Sequence, residues 1–178
     1  MLLKQYTPQM RQFFESRTRL HIRRVHLALV TLEGFRGLEH AALHRRGFDH
    51  DASKFEPEEQ DAYIWLTEHH RQRGQGNPYL YPSGIEPQVQ EAILHHYSVN
   101  DHHPEFYAHP QEMPELALVE MVCDWTAMAQ EVNRTNSARV WAEAHVGSTW
   151  DFSSSQSDLI FEAIGLLETR LGDRLPKL

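Results

Sequence analysis

The chain has 178 residues, of which 40% are hydrophobic and 24% are charged, and its formal net charge is −8 at pH 7. This length and composition are typical of a globular protein with a substantial core, and we expect a single domain over residues 1–178. The negative charge argues against a broad nucleic-acid surface. It still allows a small anionic substrate, because a metal ion or a few local cations can hold a phosphate group.

The sequence also indicates where in the cell the protein is expected. No apolar run approaches the roughly 20 residues that span a membrane, so we expect no membrane partner. The first residues show neither the apolar core nor the cleavage site of a signal peptide. The only cysteine, Cys123, permits no intrachain disulfide, which fits a reducing compartment. We therefore expect a cytoplasmic protein, and the sequence leaves its oligomeric state open.

Apolar residues at helical spacing dominate the chain, whereas signals for strands are sparse. Gly34 and Gly47 are expected to end the first two helices, and Pro57 suits the first turn of the third. The sequence therefore predicts an all-α fold of about seven helices. The predicted helices cover residues 8–33, 38–46, a stretch from just after Glu56-Pro57 to about 73, 87–97, 115–133, 136–145 and 156–172.

Histidine is unusually frequent, with 13 in the chain. Four places put possible metal ligands within or beside apolar helical surface. They are His21, the pair His50-Asp51, the four histidines of "LHHYSVNDHHPE" (His95, His96, His102 and His103), and Asp124. His26 faces another side of the first helix than His21, and we interpret His40 and His44 as surface histidines.

Asp124 is informative because it lies within the most apolar helix of the sequence. A buried carboxylate is costly unless it is paired or coordinated. Glu120 lies one turn earlier on the same face, where it can orient a histidine or form a structural salt bridge. Two buried negative charges require a cation, and imidazole ligands suit transition metals. The sequence therefore predicts one or two divalent ions of Mn, Fe, Co, Ni or Zn.

The order H…HD…D on helices resembles the HD-domain superfamily of metal-dependent phosphohydrolases. His50-Asp51-x-x-Lys54 has the spacing of the HDxxK motif in the HD-GYP branch, whose members are cyclic-dinucleotide phosphodiesterases. The resemblance implies an HD-domain-like helical bundle and a lysine near the scissile phosphate. The GYP segment is missing, which argues against cyclic-di-GMP as the substrate.

Four segments together resemble a family of small phage and bacterial proteins of unknown function, over roughly residues 18–165. These segments are "HIRRV", "RGFDHDASKF", "HHYSVNDHHPE" and "EMVCDWTAM". The resemblance supports the metal and the fold, and it names no substrate.

These patterns favour a phosphohydrolase that acts on a nucleotide or another small phosphate ester through a metal-activated water. We predict as metal ligands His21, His50, Asp51, His96, His102, His103 and Asp124. We predict as catalytic residues Lys54, Asp51, Arg46 and Glu105. The alternatives are an HD-type di-iron oxygenase and a non-catalytic, metal-stabilised binding protein. The simpler interpretations of Lys54 and Arg46 are salt bridges to neighbouring carboxylates.

Overall fold

A computed structural model describes residues 5–132 and 137–171 of the chain. Within these ranges the protein is all-α, with seven α-helices and no β-strand, which confirms the predicted fold class. The helices are α1 (Pro8–Thr31), α2 (His40–Asp49), α3 (Gln60–Gly74), α4 (Ile85–Val99), α5 (Glu115–Val132), α6 (Ala138–His145) and α7 (Ser154–Leu171). None of the helices in the described ranges is both long enough and apolar enough to cross a membrane.

The described residues pack into two compact units, each with its own apolar core. The first unit contains residues 5–19 and 51–100, and the second contains residues 20–50, 101–132 and 137–171. The prediction of a single domain over residues 1–178 stays a prediction.

The core of the first unit is formed mainly by α3 and α4. Ile64 of α3 and Val89 of α4 are buried, together with Phe14 of α1. Phe55 packs against Phe14 with the ring centroids 5.6 Å apart. This packing holds the segment after Asp51, which belongs to a 3-10 turn over Ala52–Phe55.

The core of the second unit is built around α5 and α7. Leu118 and Val122 of α5 and Ile160 of α7 are fully buried. Leu29 of α1 and Leu43 of α2 are buried in the same core. This packing fixes the helices α1 and α5, which carry the predicted ligands His21 and Asp124, and α2, which His50 directly follows.

The course of α2 differs from the prediction, because the helix continues through Gly47 and ends at Asp49. Gly47 is buried, and a Cβ atom there would lie 2.7 Å from the Cα atom of His26 in α1. The glycine therefore acts as a contact point between two helices and not as a helix terminator. Gly34 does follow the end of α1 as expected, with a left-handed φ of 78°.

The close approach at Gly47 gives a first test. Gly47→Ala is expected to destabilise the protein by about 1–3 kcal/mol, because the added methyl group meets backbone that cannot rotate away. Urea unfolding monitored by circular dichroism measures the change. Gly165→Ala in α7 is the matched control, since its Cβ would meet nothing closer than 3.7 Å. The control should be neutral or gain up to about 1 kcal/mol from helix propensity. Equal stabilities for the two variants would contradict the proposed contact.

Candidate metal centre

Three predicted ligands of the second unit converge on one point. His21 lies on α1, His50 directly follows α2, and Asp124 lies on α5. The Nε2 atoms of His21 and His50 are 3.3 Å apart, and Asp124 Oδ1 lies 3.0 Å from His21 Nε2 and 3.9 Å from His50 Nε2. The three positions span about a hundred residues of sequence, as predicted, and their ligand atoms meet.

A buried carboxylate holds the other nitrogen of each imidazole. His21 Nδ1 lies 2.9 Å from Glu131 Oε1, and His50 Nδ1 lies 2.7 Å from Glu120 Oε1. A carboxylate only accepts hydrogen bonds, so each Nδ1–H donates. In a neutral imidazole the Nε2 atom then carries the lone pair. The carboxylates therefore turn the ligand nitrogens of both rings towards the same point.

Glu120 connects His50 to Arg46 and His102. Its Oε1 atom also lies 3.3 Å from His102 Nδ1, while its Oε2 atom accepts a hydrogen bond from Arg46 Nε. Burial raises the pKa of Glu120, but hydrogen bonds from His102 and His50 outweigh this effect and lower the pKa to about 2. Glu120 therefore remains a carboxylate at physiological pH. It both orients a histidine and forms a salt bridge, the two roles that the sequence left open.

Arg46 makes a second, two-pronged ion pair with Asp101. Its Nη2 and Nη1 atoms lie 2.6 Å and 3.0 Å from Asp101 Oδ1 and Oδ2. The guanidinium group thus bridges Asp101 and Glu120, and this bidentate geometry fixes its position. The structure shows the simpler interpretation of Arg46, a salt bridge to nearby carboxylates, and its catalytic role stays a prediction.

The sequence patterns do not identify Glu131 as the partner of His21. Glu131 and Arg24 are both almost fully buried, and Arg24 Nη1 lies 3.4 Å from Glu131 Oε1. Glu131 follows Asp124 by seven residues, which places both on one face of α5 together with Glu120. The place of Glu131 in this stripe of three carboxylates is the sequence feature that could have identified it. However, Glu131 lies near the end of the helix, where a charged side chain is ordinarily solvated.

The geometry fits a transition-metal ion. Two nitrogens that bind one ion at about 2.0–2.1 Å with a tetrahedral angle lie about 3.3 Å apart, as the two Nε2 atoms do. Two imidazoles and one carboxylate are a known donor set for zinc and for ferrous iron. The side chain of His50 is 0% exposed, whereas that of Asp124 is 16% exposed. The centre is therefore closed to solvent at His50 and more accessible to solvent at Asp124.

The second unit contains three further predicted residues, of which His102 and His103 adjoin this network. The ring of His102 lies 4.4 Å from the ring of His50 and 4.2 Å from the ring of His103, measured between centroids. Glu105 is exposed and accepts a hydrogen bond from Trp150 Nε1 at 3.3 Å. The predictions that His102 and His103 bind metal and that Glu105 is catalytic stay predictions.

The first unit contains the other three predicted residues. His96 Nε2 lies 3.3 Å from Asp51 Oδ1, and Lys54 Nζ lies 2.5 Å from Asp51 Oδ2. Asp51 has a positive φ of 57°, a conformation that aspartate tolerates better than most residues. The structure thus shows the simpler interpretation of Lys54, a salt bridge, and its partner is the adjacent aspartate of the HDxxK motif.

A buried carboxylate also lies behind His96. Glu59 is fully buried, and its Oε2 and Oε1 atoms lie 2.9 Å from His96 Nδ1 and His95 Nδ1. Burial raises the pKa of Glu59, but the hydrogen bond from His96 and its charge outweigh this effect and lower the pKa. The same arrangement of a carboxylate at Nδ1 directs His96 Nε2 towards Asp51. The sequence patterns do not identify this role of Glu59, which directly precedes α3.

The comparisons with known proteins give a family and no activity. The sequence model described as "Family of unknown function (DUF5662)" matches residues 10–166. No curated protein and no solved structure matches the chain. The match confirms that the chain belongs to a family of unknown function, whereas the expected family motifs and membership of the HD superfamily stay proposals.

The carboxylate behind His21 can be tested by its effect on metal affinity. Glu131→Gln is expected to weaken Zn²⁺ binding about 10- to 100-fold, because the amide orients the imidazole but makes its Nε2 a poorer ligand. Competition with a chromophoric chelator measures the dissociation constant. Glu168→Gln removes a surface carboxylate that pairs with Arg139 in the same unit and serves as the control. Unchanged Zn²⁺ affinity in Glu131→Gln would show that Glu131 does not support the centre.

Proposed function

The chain belongs to DUF5662, a family of unknown function, and we propose that it is a metal-dependent hydrolase of phosphate esters. The proposed substrate is a nucleotide or another small phosphorylated molecule. The observation that carries the proposal is the convergence of His21 Nε2, His50 Nε2 and Asp124 Oδ1 on one buried point. The resemblance to the HD superfamily supports the same reaction class.

A metal ion accounts for this convergence better than a proton does. A proton joins two heavy atoms, whereas three donor atoms approach one another here within 3.9 Å. Without a cation, two imidazole lone pairs and a carboxylate oxygen would repel one another in a site with little water to screen them. A divalent ion satisfies all three donors at once, and neutral imidazole is the form that binds metal.

The residues around the centre have distinct tasks in this proposal. Glu120 and Glu131 hold the two imidazoles in the tautomer that binds metal. Asp124 provides negative charge on the more exposed side of the centre. When bound, a divalent ion there supplies a Lewis acid for a phosphoryl oxygen and a water of lowered pKa. Three protein ligands leave coordination positions for water and substrate, as in catalytic centres and unlike closed structural sites.

The donor set favours a second candidate as well. Two histidines and one carboxylate on one face of an ion are typical of non-haem iron enzymes that activate dioxygen. The combination of His21, His50 and Asp124 has this composition, so an iron-dependent oxygenase is the alternative to a hydrolase. Retained iron together with oxygen consumption distinguishes the oxygenase, because hydrolysis consumes no oxygen and does not require a redox-active ion.

The central experiment combines elemental analysis with a panel of nucleotides, phosphomonoesters and phosphodiesters. We expect about one or two equivalents of a divalent transition metal and metal-dependent release of phosphate or nucleotide. His50→Ala and Asp124→Asn should lose the metal and the turnover together. Asp158→Asn, an exposed carboxylate on α7, is the matched control and should keep both.

Two results would overturn the proposal. One is a protein that binds no transition metal even when it is supplied in excess. The other is turnover that persists at full rate in His50→Ala. Paired or single iron together with oxygen consumption would instead favour the oxygenase.

The predicted phosphate-binding role of Lys54 has its own test. Lys54→Ala is expected to retain the metal and to lose about 100-fold or more in kcat, because a cation that stabilises charge in the transition state is removed. Arg45→Ala, which removes an exposed cation from α2, should leave kcat unchanged. Metal content and kcat are measured on the same preparations. Normal turnover in Lys54→Ala would show that this lysine only pairs with Asp51.

A further inference from the structure

A second group of histidines lies on α1 and α2, outside the candidate metal centre. His26 of α1 packs against His44 of α2 with their ring centroids 4.5 Å apart, and the rings of His40 and His44 are 5.8 Å apart. These three histidines form no pattern in the sequence, because His26 lies on a different helix from His40 and His44. The packing of α1 against α2 brings the three imidazoles together.

Two of these histidines are arranged as a chelating pair. His40 and His44 are four residues apart in α2, so their side chains project from the same face of the helix, and both are exposed. Glu33 Oε2 lies 3.2 Å from His40 Nδ1. When His40 Nδ1–H donates to this carboxylate, Nε2 becomes the ligand atom, as at His21 and His50.

His26 provides a fixed third side chain. Its ring lies directly over Gly47, where an added Cβ would come within 2.8 Å of the ring atoms Cγ and Cδ2. His26 is half-buried. Burial first, and then the neighbouring His44 and His40, lower the pKa of His26, so the imidazole is neutral near pH 7.

We propose that His26, His40 and His44 form a second transition-metal site on the surface of the protein. Imidazoles that bind one ion at about 2.0–2.1 Å have ring centroids about 4.5–6.4 Å apart, depending on the angle between them. The observed separations of 4.5 and 5.8 Å are compatible with this interval, although the ring nitrogens must come closer together than they now lie to share one ion. Because His40 and His44 are exposed, their rings can turn about their side-chain bonds towards a common ion.

The imidazole ligands of the site favour divalent transition metals. Imidazole nitrogens suit Zn²⁺, Ni²⁺ and Cu²⁺, and of these ions Cu²⁺ binds such ligands most strongly. An ion bound there would cross-link α1 to α2, the helices that carry or precede His21 and His50. Since such an ion binds the folded chain, it also stabilises this helix pair by mass action.

Copper binding tests the site directly. The full-length protein is titrated with Cu²⁺ by calorimetry, and the bound ion is characterised by electron paramagnetic resonance, which reports coordinated nitrogens. We expect His44→Ala to lose one equivalent of Cu²⁺ or to bind it at least about ten-fold more weakly. His40→Ala should have the same effect and a spectrum with one nitrogen fewer. His109→Ala, which removes another exposed histidine, should bind Cu²⁺ as the wild type does.

The outcome separates this site from the candidate metal centre. If the centre binds Cu²⁺ as well, the wild type takes up two equivalents and His44→Ala keeps one. If the centre binds none, the wild type takes up one equivalent and His44→Ala keeps none. Unchanged stoichiometry and affinity in both His44→Ala and His40→Ala would overturn the proposal. Because both residues are exposed, circular dichroism should show that the variants fold normally.

Discussion

The hydrogen bond between a buried carboxylate and the Nδ1 atom of an imidazole is the interaction on which the candidate chemistry depends. It occurs at His21 with Glu131, at His50 with Glu120, and in the first unit at His96 with Glu59. In each case the carboxylate fixes the ring, the tautomer and the direction of the Nε2 lone pair. A histidine oriented in this way has little rotamer freedom left, so little entropy is lost when it binds a ligand.

The same interaction explains how α5 tolerates its charges. This helix is largely buried, and Glu120, Asp124 and Glu131 lie on one face of it. Isolated buried carboxylates would each cost several kcal/mol. Arg46 and Arg24 compensate for Glu120 and Glu131, and the imidazole of His21 lies 3.0 Å from Asp124. The divalent ion proposed above would add positive charge beside Asp124, where the two imidazole nitrogens also meet.

Sequence patterns predicted the helices and the residues His21, His50 and Asp124, because apolar periodicity defines helices and makes a polar residue among them conspicuous. The supporting residues were harder to identify. Glu59 and Glu131 lie near helix ends, where a carboxylate is normally solvated, and only tertiary packing buries them. The continuation of α2 through Gly47 likewise depends on its contact with His26, which local propensity does not encode. The cluster of His26, His40 and His44 has the same origin.

The contrast in exposure between ligands bears on how the candidate centre works. His21 and His50 are almost completely buried and are braced from behind by carboxylates, whereas Asp124 is partly accessible. In the proposed mechanism, water and substrate would reach the ion most easily at Asp124 on α5, the proposed ligand that is partly exposed and carries negative charge. An anionic phosphate is repelled by such a carboxylate unless the ion neutralises it. Binding of the metal is thus expected to precede binding of the substrate, because the metal converts the accessible side from repulsive to attractive for an anion.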